Sequence, residues 1–144
     1  MRDFDNQKFN DLLQVIVESN ATIINIEESG NYNFALLKYF LVYKRYSASI
    51  IDEYPFEIND ASTLMEALYF QLSLFTVHSL SWDAFDEGIG EKFRSDIYSN
   101  GLVLLFRKGQ LLREKHPDQF EILNQIGEEL NRENPNKPFR IILG

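Results

Sequence analysis

Asp83, Asp86 and Glu87 stand at i, i+3 and i+4, and Glu91 extends the 83–87 row by one further turn. On a helix that spacing gathers carboxylates on one side. Grouped carboxylates can relay protons as a glycosidase pair, hold a hard cation through oxygen, or receive a basic partner. No EF-hand loop pattern is present, and acids on a regular helix do not wrap a cation unaided, so no metal is expected. Nothing suggests a sugar cleft in a chain this small, which leaves a carboxylate hydrolase far behind. A helix N-terminus favours one early acid such as Asp83. Asp86 and Glu87 lie deeper and gain less from that effect, so the cluster reads as a binding face.

The wider charge pattern agrees. Between Tyr46 and Glu91 there are nine acids (Asp52, Glu53, Glu57, Asp60, Glu66, Asp83, Asp86, Glu87 and Glu91) and no lysine or arginine. Like charges at helical spacing cost roughly 0.2–0.5 kcal/mol per pair. A one-signed field is useful for steering a basic partner into place, although acidity also serves solubility alone.

Composition narrows the remaining classes. The 144 residues suit one domain or one domain with an extension, and 44% hydrophobic content supports a real core. The absence of cysteine excludes a thiol nucleophile, thiolate metal sites and a disulfide scaffold, and fits a reducing cytosol. A net charge of -8 argues against direct nucleic-acid binding. The N-terminal MRDFDNQKFNDLL lacks a signal-peptide layout, and the greasiest stretch, 34–43, is interrupted by Lys38 and too short to span a membrane. A cytoplasmic protein without a cofactor is expected. No glycine-rich phosphate loop or serine triad appears.

The elements that must position the acids can be read from periodicity. Asn6 to Glu18 reads as an amphipathic helix with Phe9, Leu12, Leu13 and Ile16 on one stripe. Ala21 to Ile26 is β-rich, and Glu28-Ser29-Gly30-Asn31 signals a turn. Residues 34–51 are ambiguous, with Ser47 to Ile51 more strand-like. Thr63-Leu64-Met65-Glu66 has capping-box spacing for a helix reaching about Leu74. A second helix is expected from near Ser81 to just before Gly90, with Trp82, Phe85 and Ile89 as its apolar stripe. Leu102 to Phe106 suits a strand buried on both faces of a parallel sheet. Pro117 opens another helix whose buried stripe is Phe120, Leu123, Ile126 and Leu130. Phe139 to Leu143 reads as a final strand. Strands separated by helices predict a small α/β domain with a parallel sheet.

The segment SWDAFDEGI resembles the hallmark segment of the barstar family. Collinear with it, IIDEYPFEINDASTLMEALYFQLSL is similar to that family's first strand, connecting turn and first helix, GLVLLF to its central strand, and FRIILG to its last strand. The resemblance covers about residues 49–144. It implies a barstar-like fold, a three-stranded parallel sheet packed by helices, carrying an N-terminal α+β extension over 1–48. It also implies a non-enzymatic intracellular inhibitor, an immunity protein that plugs the basic active site of a cognate ribonuclease-type toxin with an acidic helix and loop.

Carried onto this sequence, the resemblance puts Asp83 and Glu87 at the two acidic positions of the inhibitory helix. Ser81 falls where the family often has asparagine, and Glu128 is the best match for a third acid from the later helix, with Glu129 the alternative. Asp86 stands where the family commonly has an aromatic, Glu87 replaces aspartate, and Val77-His78-Ser79 replaces a loop of tyrosines and glycine. Lost aromatic anchors imply a target other than barnase itself. Asp86 and Glu91 would reinforce the field, while Ser81 and His78 would shape the contact loop, although His78 can instead be read as a partly exposed residue capping the first helix. His116 reads as a loop residue, and Tyr32, Tyr39, Tyr43 and Tyr46 as core or sheet-packing residues. A monomer is expected when free. The alternative function is an adaptor or assembly module with its interface on the N-terminal extension, whose role could be to cover a sheet edge, form a second contact surface or mediate self-association.

Overall fold

The computed structural model describes residues 6–26, 33–74 and 80–144. In chain order the described elements are α1 (Asn6–Glu18), β1 (Ile23–Asn25), α2 (Phe34–Tyr43), β2 (Ser47–Ile50), α3 (Ala61–Gln71), α4 (Trp82–Ser95), β3 (Leu102–Phe106), α5 (Gly109–Lys115), α6 (Pro117–Glu133) and β4 (Phe139–Leu143). All strand pairings among them are parallel, in the order β1-β4-β3-β2. The expected sheet had three strands. The fourth is β1, which pairs with the outer side of β4 through Ile23–Ile141, Ile24–Ile142 and Asn25–Leu143. The turn expected at Glu28–Asn31 lies outside the described residues.

Strands β3 and β4 are buried along their whole length because helices cover both faces of the sheet. Leu102, Leu104, Phe106, Phe139, Ile141 and Leu143 point to one side, where they pack with α3, α4 and α6. Val103, Leu105 and Ile142 point to the other, where Phe9, Leu12 and Ile16 of α1 and Leu37, Phe40 and Leu41 of α2 meet them. The molecule is thus a three-layer sandwich, and the first fifty residues supply one layer and two strands.

Alternation along β4 also sends Arg140 toward α1, where it is buried. Its Nε donates to the carbonyl of Ile16 at 2.9 Å, its Nη2 to that of Ser19 at 2.7 Å, and its Nη1 to Asn131 Oδ1 at 3.0 Å. Helix α1 has no basic residue in its last turn. A strand more than a hundred residues later provides the positive charge that a helix C-terminus favours. Burial pulls the Arg140 pKa below the ordinary arginine range, with Tyr46 opposing, and burial raises that of Tyr46.

Three local expectations are corrected. Helix α3 begins at Ala61, capped by Asp60, whose carboxylate accepts from the Thr63 amide at 2.8 Å while the Thr63 hydroxyl accepts from the Asp60 amide at 3.0 Å. The capping box is therefore Asp60/Thr63, one turn before the Thr63/Glu66 spacing. Helix α4 does not stop before Gly90 but runs to Ser95, because Phe93 continues the buried row of Phe85 and Ile89. Of the four tyrosines, Tyr46 is buried, Tyr39 and Tyr43 are exposed, and Tyr32 lies outside the described residues.

Candidate functional site: an acidic cleft between two helices

Helix α4 is held at both ends. Ser81 is its N-cap, with Oγ accepting from the Ala84 amide at 3.1 Å, and the Tyr69 hydroxyl donates to the Ser81 carbonyl at 2.9 Å. Trp82 Nε1 donates to Gln119 Oε1 on α6 at 2.9 Å, and its ring meets Phe85 edge-on at 5.6 Å between centroids. At the other end, Lys137 Nζ donates to the carbonyls of Phe93 and Asp96 and lies 4.8 Å from the centre of the Phe93 ring. Phe85, Ile89 and Phe93 bury the inner face. Asp83, Asp86, Glu87 and Glu91 are left exposed on the outer side.

Opposite them, α6 carries a second acidic row. Its buried stripe of Phe120, Leu123, Ile126 and Leu130 fixes the rotation of the helix. The same rotation turns Glu129 and Glu133 toward α4. A cleft of about 230 Å³ lies between the helices, lined by the carboxylates of Asp83, Asp86, Glu87, Glu129 and Glu133 over a floor that includes Ile126 and Leu130. One arginine, Arg94, also lines it, 4.0 Å from Glu133. Five carboxylates against one guanidinium leave a local charge that no described neighbour neutralises. Two rows of acids facing one another are poorly suited to stabilising a fold and well suited to receiving cationic groups from outside.

Not every residue singled out from the sequence reaches this cleft. Glu91 is exposed on α4 but does not line it. Glu128 points elsewhere: its Oε1 accepts from Asn124 Nδ2 at 2.7 Å, and it lines a separate groove with the end of α1. His78 lies outside the described residues. Glu133 and Arg94 were not anticipated. The signal for Glu133 was its i+4 spacing from Glu129, which places both beside the 126/130 stripe. Among the described residues no cluster of histidine, aspartate and glutamate suits a metal ion.

Two of the nine acids in the base-free stretch serve the fold instead. Asp60 caps α3. Asp52 is buried, its two carboxylate oxygens accepting from the Arg107 and Lys108 amides at 2.6 and 2.8 Å, and so secures the turn that leads into α5.

Residues 56–144 match the model of the family described as Barstar (barnase inhibitor). The chain belongs to the barstar family. The matched span contains α3 to β4, and with them both walls of the acidic cleft, while α1, β1, α2 and β2 precede it. No curated protein and no solved structure matches the chain. The family description names an inhibitor of barnase, itself a protein.

Proposed function

We propose that this protein is a non-enzymatic inhibitor, an immunity protein, that binds a basic ribonuclease-type toxin and occludes its active site with the α4–α6 cleft. The observation that carries the reading is the pair of acidic rows, Asp83/Asp86/Glu87 and Glu129/Glu133, on two helices of a barstar-family domain. A ribonuclease site presents cationic side chains to hold phosphate, and carboxylates held at fixed spacing satisfy the same donors. Asp83 and Glu87 lead, Asp86 reinforces them, and Glu129 rather than Glu128 is the third acid of the contact. Ser81 acts by setting the start of α4, and Glu91 contributes to the long-range field. Glu128 is left to the outer rim.

The protein acts in the cytoplasm, before the toxin leaves the cell; no described helix is long and apolar enough to cross a membrane. Pull-down from lysate and culture medium, with wild type and Asp83→Ala/Glu87→Ala side by side, tests the reading. A basic protein captured by the wild type alone, with ribonuclease activity that the wild type suppresses, is the expected result. Identical catches from both baits would remove the cleft from the mechanism.

A further inference from the structure

Helices α4 and α6 run side by side in the same direction, with the acidic cleft between them. Trp82, the first residue of α4, donates to Gln119 in the first turn of α6 at 2.9 Å. Toward the other end Arg94 of α4 comes within 4.0 Å of Glu133 of α6, and both side chains are about half exposed. Among the described residues no other polar contact joins the two helices directly.

A second firm link runs through the turn after α6. The Lys137 amide donates to the Asn134 carbonyl at 3.0 Å, and Asn134 Nδ2 donates to the Leu130 carbonyl at 2.9 Å, which anchors the turn to its helix. From there the Lys137 ammonium reaches the carbonyls of Phe93 and Asp96 at the end of α4. The bonds of Trp82 and Lys137 are partly shielded from water, unlike the Arg94 pair. A rise of about 1.5 Å per residue puts Trp82 and Phe93 about 16 Å apart along α4. The cleft carboxylates Asp83, Asp86, Glu87, Glu129 and Glu133 fall between the two links.

Exposed carboxylates facing each other push the walls of a cleft apart. That push reaches over a Debye length, about 8 Å at 0.15 M salt and about 30 Å at 0.01 M. The apolar floor resists it, but apolar contact is non-directional and lets packed helices slide. Hydrogen bonds, with their narrow geometry, do not. We propose that Trp82, Gln119 and Lys137 are positioning residues of the cleft, tying α4 to α6 at both ends and holding the two acidic rows at a fixed separation against their own repulsion. None of the three lines the cleft, so they act through the carboxylates. A face already in its bound geometry loses less freedom on association. That use by a basic partner rests on the function proposed above; the fixed separation does not.

The chain has no cysteine, so Glu91→Cys with Gln125→Cys places two spin labels and no others. Both positions are exposed, one on each helix, and neither lines the cleft. Dipolar electron paramagnetic resonance then reads the separation from about 0.01 to about 0.5 M salt. With the ties intact it should be narrow and the same throughout. Trp82→Phe with Lys137→Met keeps the aromatic ring and the aliphatic stem but removes both ties. The distribution should broaden, lengthen by a few ångströms at low salt and contract as salt rises. Adding Glu129→Gln and Glu133→Gln should abolish that salt response. Gln119→Leu, with Trp82 in place, should give a smaller response of the same sign and serves if the untied protein does not fold. Residues that support stability alone would lower the thermal midpoint and leave the separation indifferent to salt. An unchanged separation in Gln119→Leu and in the untied protein overturns the proposal. So does one that lengthens equally at all salt concentrations, or a wild type that itself widens at low salt. Identical pull-down catches alongside a salt-responsive untied cleft would remove the proposed function and leave the ties standing.

Discussion

Arg140 Nη2 donates to the carbonyl of Ser19 at 2.7 Å, across 121 residues of sequence. With the bonds to Ile16 and Asn131, it clamps the end of α1 to the central part of the sheet. Arg140→Met would leave those carbonyls without their donor, at about 1–3 kcal/mol for each group kept from water. A total loss of about 2–4 kcal/mol is expected in urea unfolding. Arg140→Lys should recover little of it, because an ammonium cannot reproduce the planar fork. Stability within experimental error of wild type for both variants would show that α1 is anchored by apolar packing alone.

The acidic cleft predicts opposite effects from opposite charges. Asp83→Ala and Glu87→Ala should each weaken binding of the proposed basic partner by about 2–5 kcal/mol, mostly through faster dissociation, a general range to which the barnase–barstar pair itself contributes. Arg94 is about half exposed and pairs with Glu133 at the limit of contact, so its removal should hardly change stability. Yet Arg94→Ala strips the one described base from the cleft, and association should quicken about two- to threefold with a steeper salt dependence. Stopped-flow kinetics at several salt concentrations separates these effects. Slower association for Arg94→Ala would mean that the guanidinium itself contacts the partner.

Two helical glycines should respond in opposite directions to alanine. A Cβ on Gly127 would lie 2.9 Å from the Phe139 ring and closer still to Thr22, where α6 approaches β4 and the chain entering β1. Gly127→Ala should cost about 1–3 kcal/mol despite alanine's better helix propensity. At Gly88 the nearest atom to a new Cβ is Leu74 Cδ2 at 3.7 Å, an ordinary contact. Gly88→Ala should therefore gain about 0.5–1 kcal/mol. Thermal unfolding of the two variants should bracket the wild type.

Acidification should act through Asp60. The Thr63 amide, and then the Thr63 hydroxyl, hold its carboxyl below the ordinary aspartate range. A depressed folded-state pKa means that the contribution to stability is present above the unfolded value of about 3.9 and is lost as pH falls through the folded one. Asp60→Asn keeps a capping acceptor but cannot titrate. The advantage of wild type over this variant in thermal midpoint should shrink below about pH 4. Parallel curves for the two proteins down to acid unfolding would show that the cap does not couple to pH.

Apolar periodicity made α1, α6, β3 and β4 legible, since each buries one regular stripe or a short continuous run. Glycine punctuation misled at α4: Gly90 reads as a stop, but the helix continues because Phe93 extends its buried row. Helix α5 has seven residues, too few to display a period. The acids were countable in the sequence, but their directions were not. Asp52 and Asp60 turn to backbone amides, whereas Glu129 and Glu133 complete the cleft only because the α6 stripe fixes that helix's rotation against α4. Tyr39 and Tyr43 look like core residues by type, yet α2 needs only Phe34, Leu37, Phe40 and Leu41 to cover the sheet.

Strand order has a consequence for synthesis. Strand β4 follows the other described elements in chain order, yet it lies between β3 and β1. During translation β1 has no strand to pair with, and α1 no arginine to close its end, until β4 arrives. Helix α2 can settle on β2 and β3 before then, but β1 and the end of α1 must wait for β4. Such sequence-distant pairing slows folding and prolongs exposure of apolar surface. A ribosome stalled before residue 139 would hold a chain whose N-terminal helix is still open to chaperones and proteases.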